Sequence, residues 1–221
     1  MYGYDYLSYI LPAILLLLYA QYKVKSAYSE YSKIDSRTGL TGADVAEKIL
    51  HSHGLYDVRI NRIAGNLTDH YNPQTRELNL SDGVYSKTSI ASLGIAAHEV
   101  GHAIQHQEGY TPLKLRSVLI PMANIGSNFG VYMVIMGLIF SRVLVNVGII
   151  FFAASVLFTI VTLPVEFDAS RRAQIELENY MGHEALIGSK KVLSAAALTY
   201  VASTVMAVLQ LLRLLSISRK R

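Results

Sequence analysis

The chain has 221 residues, 52% of them apolar and 16% charged, with no cysteine and a formal charge of +4. Apolar residues gathered into runs near twenty long indicate an integral membrane protein. The missing thiols exclude disulfides and thiolate metal sites, and the small charge without an unbroken basic face excludes nucleic acid as an expected partner.

Residues 6–22 (YLSYILPAILLLLYAQY) form an apolar run bounded by tyrosines and followed by Lys23 and Lys25, the flanks of a membrane span. The opening MYGYDY carries no basic residue, so a retained anchor is expected rather than a cleaved leader. Residues 23–87 are the polar part of the chain and read as a small α/β unit. Thr41-Gly42-Ala43-Asp44 opens a helix as a capping box, with Val45, Ala46, Ile49 and Leu50 on one face and Gly54 closing it. Residues 55–63 and 67–71 have strand character. Asn72-Pro73-Gln74-Thr75 is a turn, and Glu77-Leu78-Asn79-Leu80 alternates as a half-buried strand does. Such a hairpin offers an edge along which an extended peptide can lie, or it serves packing alone.

Residues 88–105 (TSIASLGIAAHEVGHAIQ) predict a proline-free, buried helix, and within it stands His98-Glu99-Val100-Gly101-His102. Residues four apart share a helix face, so His98 and His102 can present two ring nitrogens to one ion. Glu99 points about 100° away, outside that pair but placed to take a proton from a water on the metal. Gly94 and Gly101 each weaken a helix by about 1 kcal/mol, which predicts close approach of other elements at both. Catalytic zinc needs a third protein ligand. His106 sits four residues beyond His102, but a straight helix carries it about 6 Å further along the axis, and it reads as a helix-end residue.

Gly109-Tyr110-Thr111-Pro112 ends this helix. Residues 120–140 are long enough to span a bilayer, with Asn124, Ser127 and Asn128 expected to line a cavity or bond to a neighbouring helix. Gly126 and Gly130 form a G-x-x-x-G pair suited to close helix contact. Ser141-Arg142 makes a tight connection, and residues 143–163 span again. Two successive spans return the chain to the side it left at Arg116, so Glu166 emerges beside the histidines and is the preferred third ligand. Pro164 is expected to break or kink the helix just before it. Asp168 is expected to pair with Arg171 or Arg172, and Glu176, Glu178 and Glu184 lie among solvated residues.

Residues 194–215 form a fourth candidate span. The expected architecture is therefore a mainly α membrane protein with about four transmembrane helices and a small α/β zincin-like unit. Its segments are an anchor (1–22), an α/β metalloprotease unit (23–117), a transmembrane hairpin (118–163), a helix carrying the third ligand (164–192), and a last span with a basic tail (193–221). Lysines and arginines cluster in the segments beside the site, which positive-inside logic places in the cytoplasm. Arg219, Lys220 and Arg221 fall on the other side and are expected to be tolerated there.

The segments AAHEVGHAIQH, EGYTPLKLRS, TLPVEFDASRRA and SAAALTYVAS resemble, in order and over almost the whole chain, the YugP-like family of bacterial neutral zinc metallopeptidases. The resemblance implies a membrane-bound zinc protease with His98, His102 and Glu166 as ligands of one Zn2+ and Glu99 as catalytic base. More distantly, LNLSDGVY and EFDAS look like the HtpX and CaaX-processing membrane metalloproteases, whose third ligand opens an E-F-x-A-D pattern. This chain has Ser170 where that pattern has Asp, so the carboxylate that would support a metal-bound histidine is missing there.

The function expected is that of a zinc endopeptidase acting on protein or peptide substrates at the lipid bilayer. His70, Tyr71, His183 and Arg171 are candidate oxyanion donors. A zinc-holding scaffold without turnover is the alternative, and a metal carrier would need more polar groups inside its spans.

Overall fold

The computed structural model describes the backbone of residues 2–219 and the side chains of residues 10–219. The side chains at the start of the expected first span, together with Lys220 and Arg221 of the tail, therefore lie outside what is described. The chain is mainly helical, with one three-stranded sheet. Its helices are α1 (Tyr2–Tyr31), α2 (Gly42–Ser52), α3 (Asp82–Tyr85), α4 (Ile90–Gln107), α5 (Thr111–Ile125), α6 (Val131–Phe140), α7 (Arg142–Leu177) and α8 (His183–Arg219). The strands are β1 (Arg59–Ile63), β2 (His70–Asn72) and β3 (Glu77–Ser81). Contacts divide the chain into two compact units, with the long helices α1, α7 and α8 each contributing a part to both.

One unit comprises Tyr22–Tyr110 and Val165–Ala197. Its helix α2 begins as the capping box foreseen: Thr41 accepts from the Asp44 N–H at 3.2 Å, and Asp44 accepts from the Thr41 N–H at 2.8 Å. Val45, Ala46, Ile49 and Leu50 are buried, and Gly54 closes the helix at φ +71°. The strands are shorter than the residue pattern suggests. Leu55 is spent on the helix end, its N–H bonding the Leu50 carbonyl, and Leu67 stands at φ +57° in a left-handed turn. The sheet order is β1-β3-β2, with β3 parallel to β1 and antiparallel to β2. Because β3 is central, it is buried along most of its length rather than alternating, and β2 is an edge.

The buried core of this unit is built on α4, which is covered on nearly every side. Two glycines allow that. A Cβ at Gly101 would meet the Ala169 carbonyl oxygen at 2.7 Å, and one at Gly94 would meet the Ser189 hydroxyl at 2.7 Å, so α7 approaches α4 almost backbone to backbone and α8 closes on it through the Ser189 side chain. Gly109 at φ +66° stops α4, and α5 restarts at Thr111 with Pro112 in its first turn, where the missing N–H costs nothing.

The other unit comprises Met1–Gln21, Thr111–Pro164 and Leu198–Arg221. Here α5 and α6 are joined through a π-helical segment, Gly126–Gly130, and that segment and α6 run antiparallel to α7, with Gly126 beside Phe151, Gly130 beside Gly148 and Gly137 beside Val145. A Cβ at Gly126 would run into the Phe151 carbonyl and one at Gly130 would lie 3.1 Å from the Gly148 carbonyl oxygen, so the glycine pair serves the close contact expected of it, and Gly137, 2.5 Å from the Val145 nitrogen, adds a third. Ser127 and Asn128 both donate to the Asn124 carbonyl, which the wide π turn leaves available, and all three side chains stay exposed. Thr204 on α8 donates to the Thr159 carbonyl of α7 at 3.3 Å.

Among the described residues, three helices are long and apolar enough to cross a membrane: Thr111–Phe140, Arg142–Leu177 and His183–Arg219. Large apolar side chains such as Val118, Phe129, Tyr132, Ile139, Phe140 and Val143 stand exposed on them, a surface suited to lipid rather than water. Pro164 does not break α7. Proline removes one helical hydrogen bond at a cost of about 3 kcal/mol, and the fully buried Val165, Ala169, Ala173 and Leu177 hold the helix on its far side.

Candidate metal centre

The site grows from the helix pair α4 and α7. His98 and His102 are one turn apart on α4, their ring centroids 4.9 Å apart and their planes at 81°. Glu166, Ala169, Ser170 and Ala173 recur at three- and four-residue spacing along α7. The close approach at Gly101 puts this face against the two rings. The His98 Nε2 lies 3.3 Å and the His102 Nε2 3.7 Å from Glu166 Oε2, and one ligand atom from each of the three residues falls within 4.8 Å of the others. Around a tetrahedral zinc with bonds near 2.1 Å, neighbouring ligand atoms stand about 3.4 Å apart. The three expected ligands are thus brought together at metal-site spacing, and all are nearly shielded from solvent, with side-chain exposures of 14%, 10% and 3%.

Each imidazole has its second nitrogen occupied. His102 Nδ1 is 3.0 Å from Gln105 Oε1, and His98 Nδ1 is 3.1 Å from the Ser170 hydroxyl. Ser170 therefore occupies the supporting place that the E-F-x-A-D pattern gives to an aspartate, using a hydroxyl. With the His102 proton on Nδ1, its Nε2 turns a lone pair toward the Glu166 carboxylate, and a cation between them is what such a donor set accommodates. Burial alone would push the His102 imidazole down; the hydrogen bond and charge of Glu166, with Glu99 and Gln105, outweigh it and raise its pKa, the same preference for positive charge at this point.

Glu99 is buried on the adjoining face of α4, and its Oε2 accepts the backbone N–H of Tyr71 at 3.1 Å. The general-base candidate is thus tied to the edge strand β2. Asp69, just before β2, is a second carboxyl close by: burial raises its pKa although the Ser81 N–H and hydroxyl donate to it, and the charge of Glu99 adds to the rise.

The remaining candidates fall elsewhere. His106 lies outside the ligand group; its Nδ1 is 2.9 Å from the Tyr71 hydroxyl, and burial and the charge of Arg76 push its pKa down, favouring the neutral ring that accepts this bond. Asp168 pairs with Arg171 and Arg172 as expected, and also accepts from Gln105. His70 Nδ1 faces the Thr68 carbonyl and its Nε2 faces Asn79. Arg171 is committed to Asp168, Glu176 bonds His53 at 2.8 Å, and His183 is exposed at the start of α8. Sequence reasoning did not single out Gln105, Asp69 or the Tyr71 N–H. Gln105 was findable, since it stands three residues after His102 on the same helix face, as Ser170 stands four after Glu166.

The family model described as "Putative neutral zinc metallopeptidase" matches residues 6–219. The chain is also 44% identical over 210 residues to "Putative membrane protease YugP" of Bacillus subtilis (strain 168), covering 94% of this chain and 93% of that protein. No solved structure matches it.

Proposed function

The chain belongs to the neutral zinc metallopeptidase family, and from that premise we propose that it is a membrane-embedded endopeptidase in which His98, His102 and Glu166 hold one zinc ion and Glu99 is the general base. The observation that carries the reading is the meeting of both Nε2 atoms with Glu166 Oε2 at 3.3 and 3.7 Å inside a nearly closed core. When bound, zinc supplies Lewis-acid polarisation of a carbonyl and brings the pKa of water near 7. Two neutral imidazoles and one carboxylate leave the ion a net positive charge for that purpose. Glu99, one residue along α4 from His98 and outside the ligand set, takes the proton of the attacking water and returns it to the departing amine.

The substrate in this reading is an extended peptide lying beside β2, whose outer edge reaches Glu99 through the Tyr71 N–H. Four helices are read as crossing the bilayer. The first is α1, where Leu11, Leu15 and Leu18 are exposed ahead of Tyr19, Tyr22, Lys23 and Lys25. Lysines and arginines near the site, set against the bare opening of the chain, support a cytoplasmic active site.

The test uses the full chain purified in detergent, assayed for bound zinc and for cleavage of unfolded casein, as wild type and as Glu99→Gln. Zinc is expected in both and cleavage only in the wild type, lost on chelation and restored by zinc. Cleavage that survives Glu99→Gln refutes the assigned base, and a wild type that holds zinc without cleaving any unfolded substrate is the scaffold alternative.

A further inference from the structure

The Gln105 side chain sits between the candidate metal centre and a charged network, and its amide has only one satisfactory orientation. Its Nε2 lies 2.9 Å from the Val165 carbonyl and 2.9 Å from Asp168 Oδ2, two groups that can only accept. Both amide hydrogens are therefore directed there, and Oε1 must face His102 Nδ1, 3.0 Å away. An amide oxygen accepts and never donates, so the His102 proton is fixed on Nδ1 and the Nε2 lone pair is left for the metal. Asp168 is fixed in turn by Arg171 and by Arg172, whose guanidinium also pairs with Glu108 at 2.7 Å. Gln105 is fully buried, so bulk solvent does not reach the amide.

His98 differs. The Ser170 hydroxyl beside its Nδ1 donates or accepts equally well and imposes no choice of nitrogen. The two rings, alike in sequence, are held by unlike devices.

We propose that Gln105 is a positioning residue that decides which nitrogen His102 presents to the metal, and that Asp168, which touches neither imidazole, acts with the Val165 carbonyl to decide which way Gln105 faces. The inference rests on the reading of His98, His102 and Glu166 as metal ligands. In Asp168→Asn the new amide can donate to Gln105 Oε1. Gln105 is then held only by the Val165 carbonyl, and where it gives up that bond its NH2 turns toward His102, which forces the ring proton onto Nε2 and removes the donor atom. Adding Gln105→Glu should reverse the loss, because a carboxylate at position 105 cannot donate to the ring and can accept from the amide introduced at position 168.

The experiment measures zinc affinity of the full chain by competition with a chelator, and 113Cd–15N coupling in the cadmium-loaded protein with labelled histidine, which identifies the ligating nitrogen. Gln105→Met and Asp168→Asn are each expected to lose about tenfold or more in affinity. The His102 Nε2 coupling should weaken in both, and Gln105→Glu with Asp168→Asn should recover most of the loss. Should Gln105→Met not fold, Asp168→Asn and its rescue still decide the matter. An Asp168→Asn protein within twofold of wild type with unchanged His102 coupling, or a double variant no better than the single one, overturns the proposal. A wild type that takes up no zinc, or a His98→Ala protein that binds it as tightly as wild type, overturns the metal reading itself.

Discussion

Gly101→Ala tests how far the centre depends on the contact between α4 and α7. The added Cβ would sit 2.7 Å from the Ala169 carbonyl oxygen and 3.1 Å from its Cα, both backbone atoms of the helix that carries Glu166. No rotamer can relieve a clash with backbone, so the helices must part by about 0.7 Å to reach ordinary contact. For the fold, relief of about 1 kcal/mol from replacing a helical glycine offsets an overpacking cost of about 1–3 kcal/mol, leaving a net loss of about 0–2 kcal/mol. For the metal the same displacement is severe. The spacings of 3.3 and 3.7 Å between Glu166 and the imidazoles would open well past the ~3.4 Å edge of a zinc tetrahedron, whose bonds tolerate only about 0.2 Å. Zinc affinity, read by chelator competition on the full chain in detergent, is expected to fall at least tenfold while the melting curve moves modestly. Gly94→Ala is the control. Its Cβ meets the end of the Ser189 side chain, which can turn away for about the cost of one hydrogen bond, that from Gln174. Gly101→Ala with wild-type zinc affinity would refute the dependence of the centre on this contact.

Two further outcomes follow from other parts of the chain. Thr41→Ala removes the α2 cap and should cost about 1 kcal/mol, read as faster hydrogen exchange of the α2 amides at neutral pH. The Thr41 hydroxyl first, and then its N–H, hold the Asp44 carboxyl below the ordinary aspartate range. The stability this contributes is therefore complete above about pH 4 and is lost as the pH falls through the lower folded value, so wild type and variant should converge only in acid. In the other unit, Gly126→Ala would place a Cβ 2.0 Å from the Phe151 carbonyl oxygen, whereas Gly130→Ala meets nothing nearer than 3.1 Å. Protease resistance of the helical hairpin should drop sharply in the first variant and less in the second, and an unchanged Gly126→Ala protein would show that this glycine does not set the helix spacing.

The two histidines, the glutamate between them and the carboxylate more than sixty residues on were legible because helix periodicity and the return of a hairpin are strong constraints on where side chains can lie. The capping box and the close approaches at Gly94 and Gly101 were legible for a similar reason, since each is a local pattern with one cheap solution. What was not legible depends on neighbours distant in sequence. The strand pattern over-extended at Leu55 and Leu67 because the end of α2 and a left-handed turn claim those residues. The burial of β3 follows from parallel pairing with β1, which no local pattern records. Pro164 reads as a breaker, yet packing beyond it carries α7 through.

The candidate centre is therefore governed by two separate contacts. Glu166 reaches the imidazoles because α7 lies against Gly101, and Ser170 rides on the same contact. Glu99 faces another way, and what fixes its carboxylate is the backbone of β2, through the Tyr71 N–H. An edge strand offers its outward main-chain groups to whatever pairs with it. In the proposed reading, a peptide added along β2 competes for the N–H that Glu99 now accepts, so occupation of the edge would change the surroundings of the proposed base while leaving the α4–α7 contact intact. Metal retention and turnover are, in that reading, separable properties of α4: the first is expected to respond to the volume of residue 101 and the second to what lies along residues 70–72.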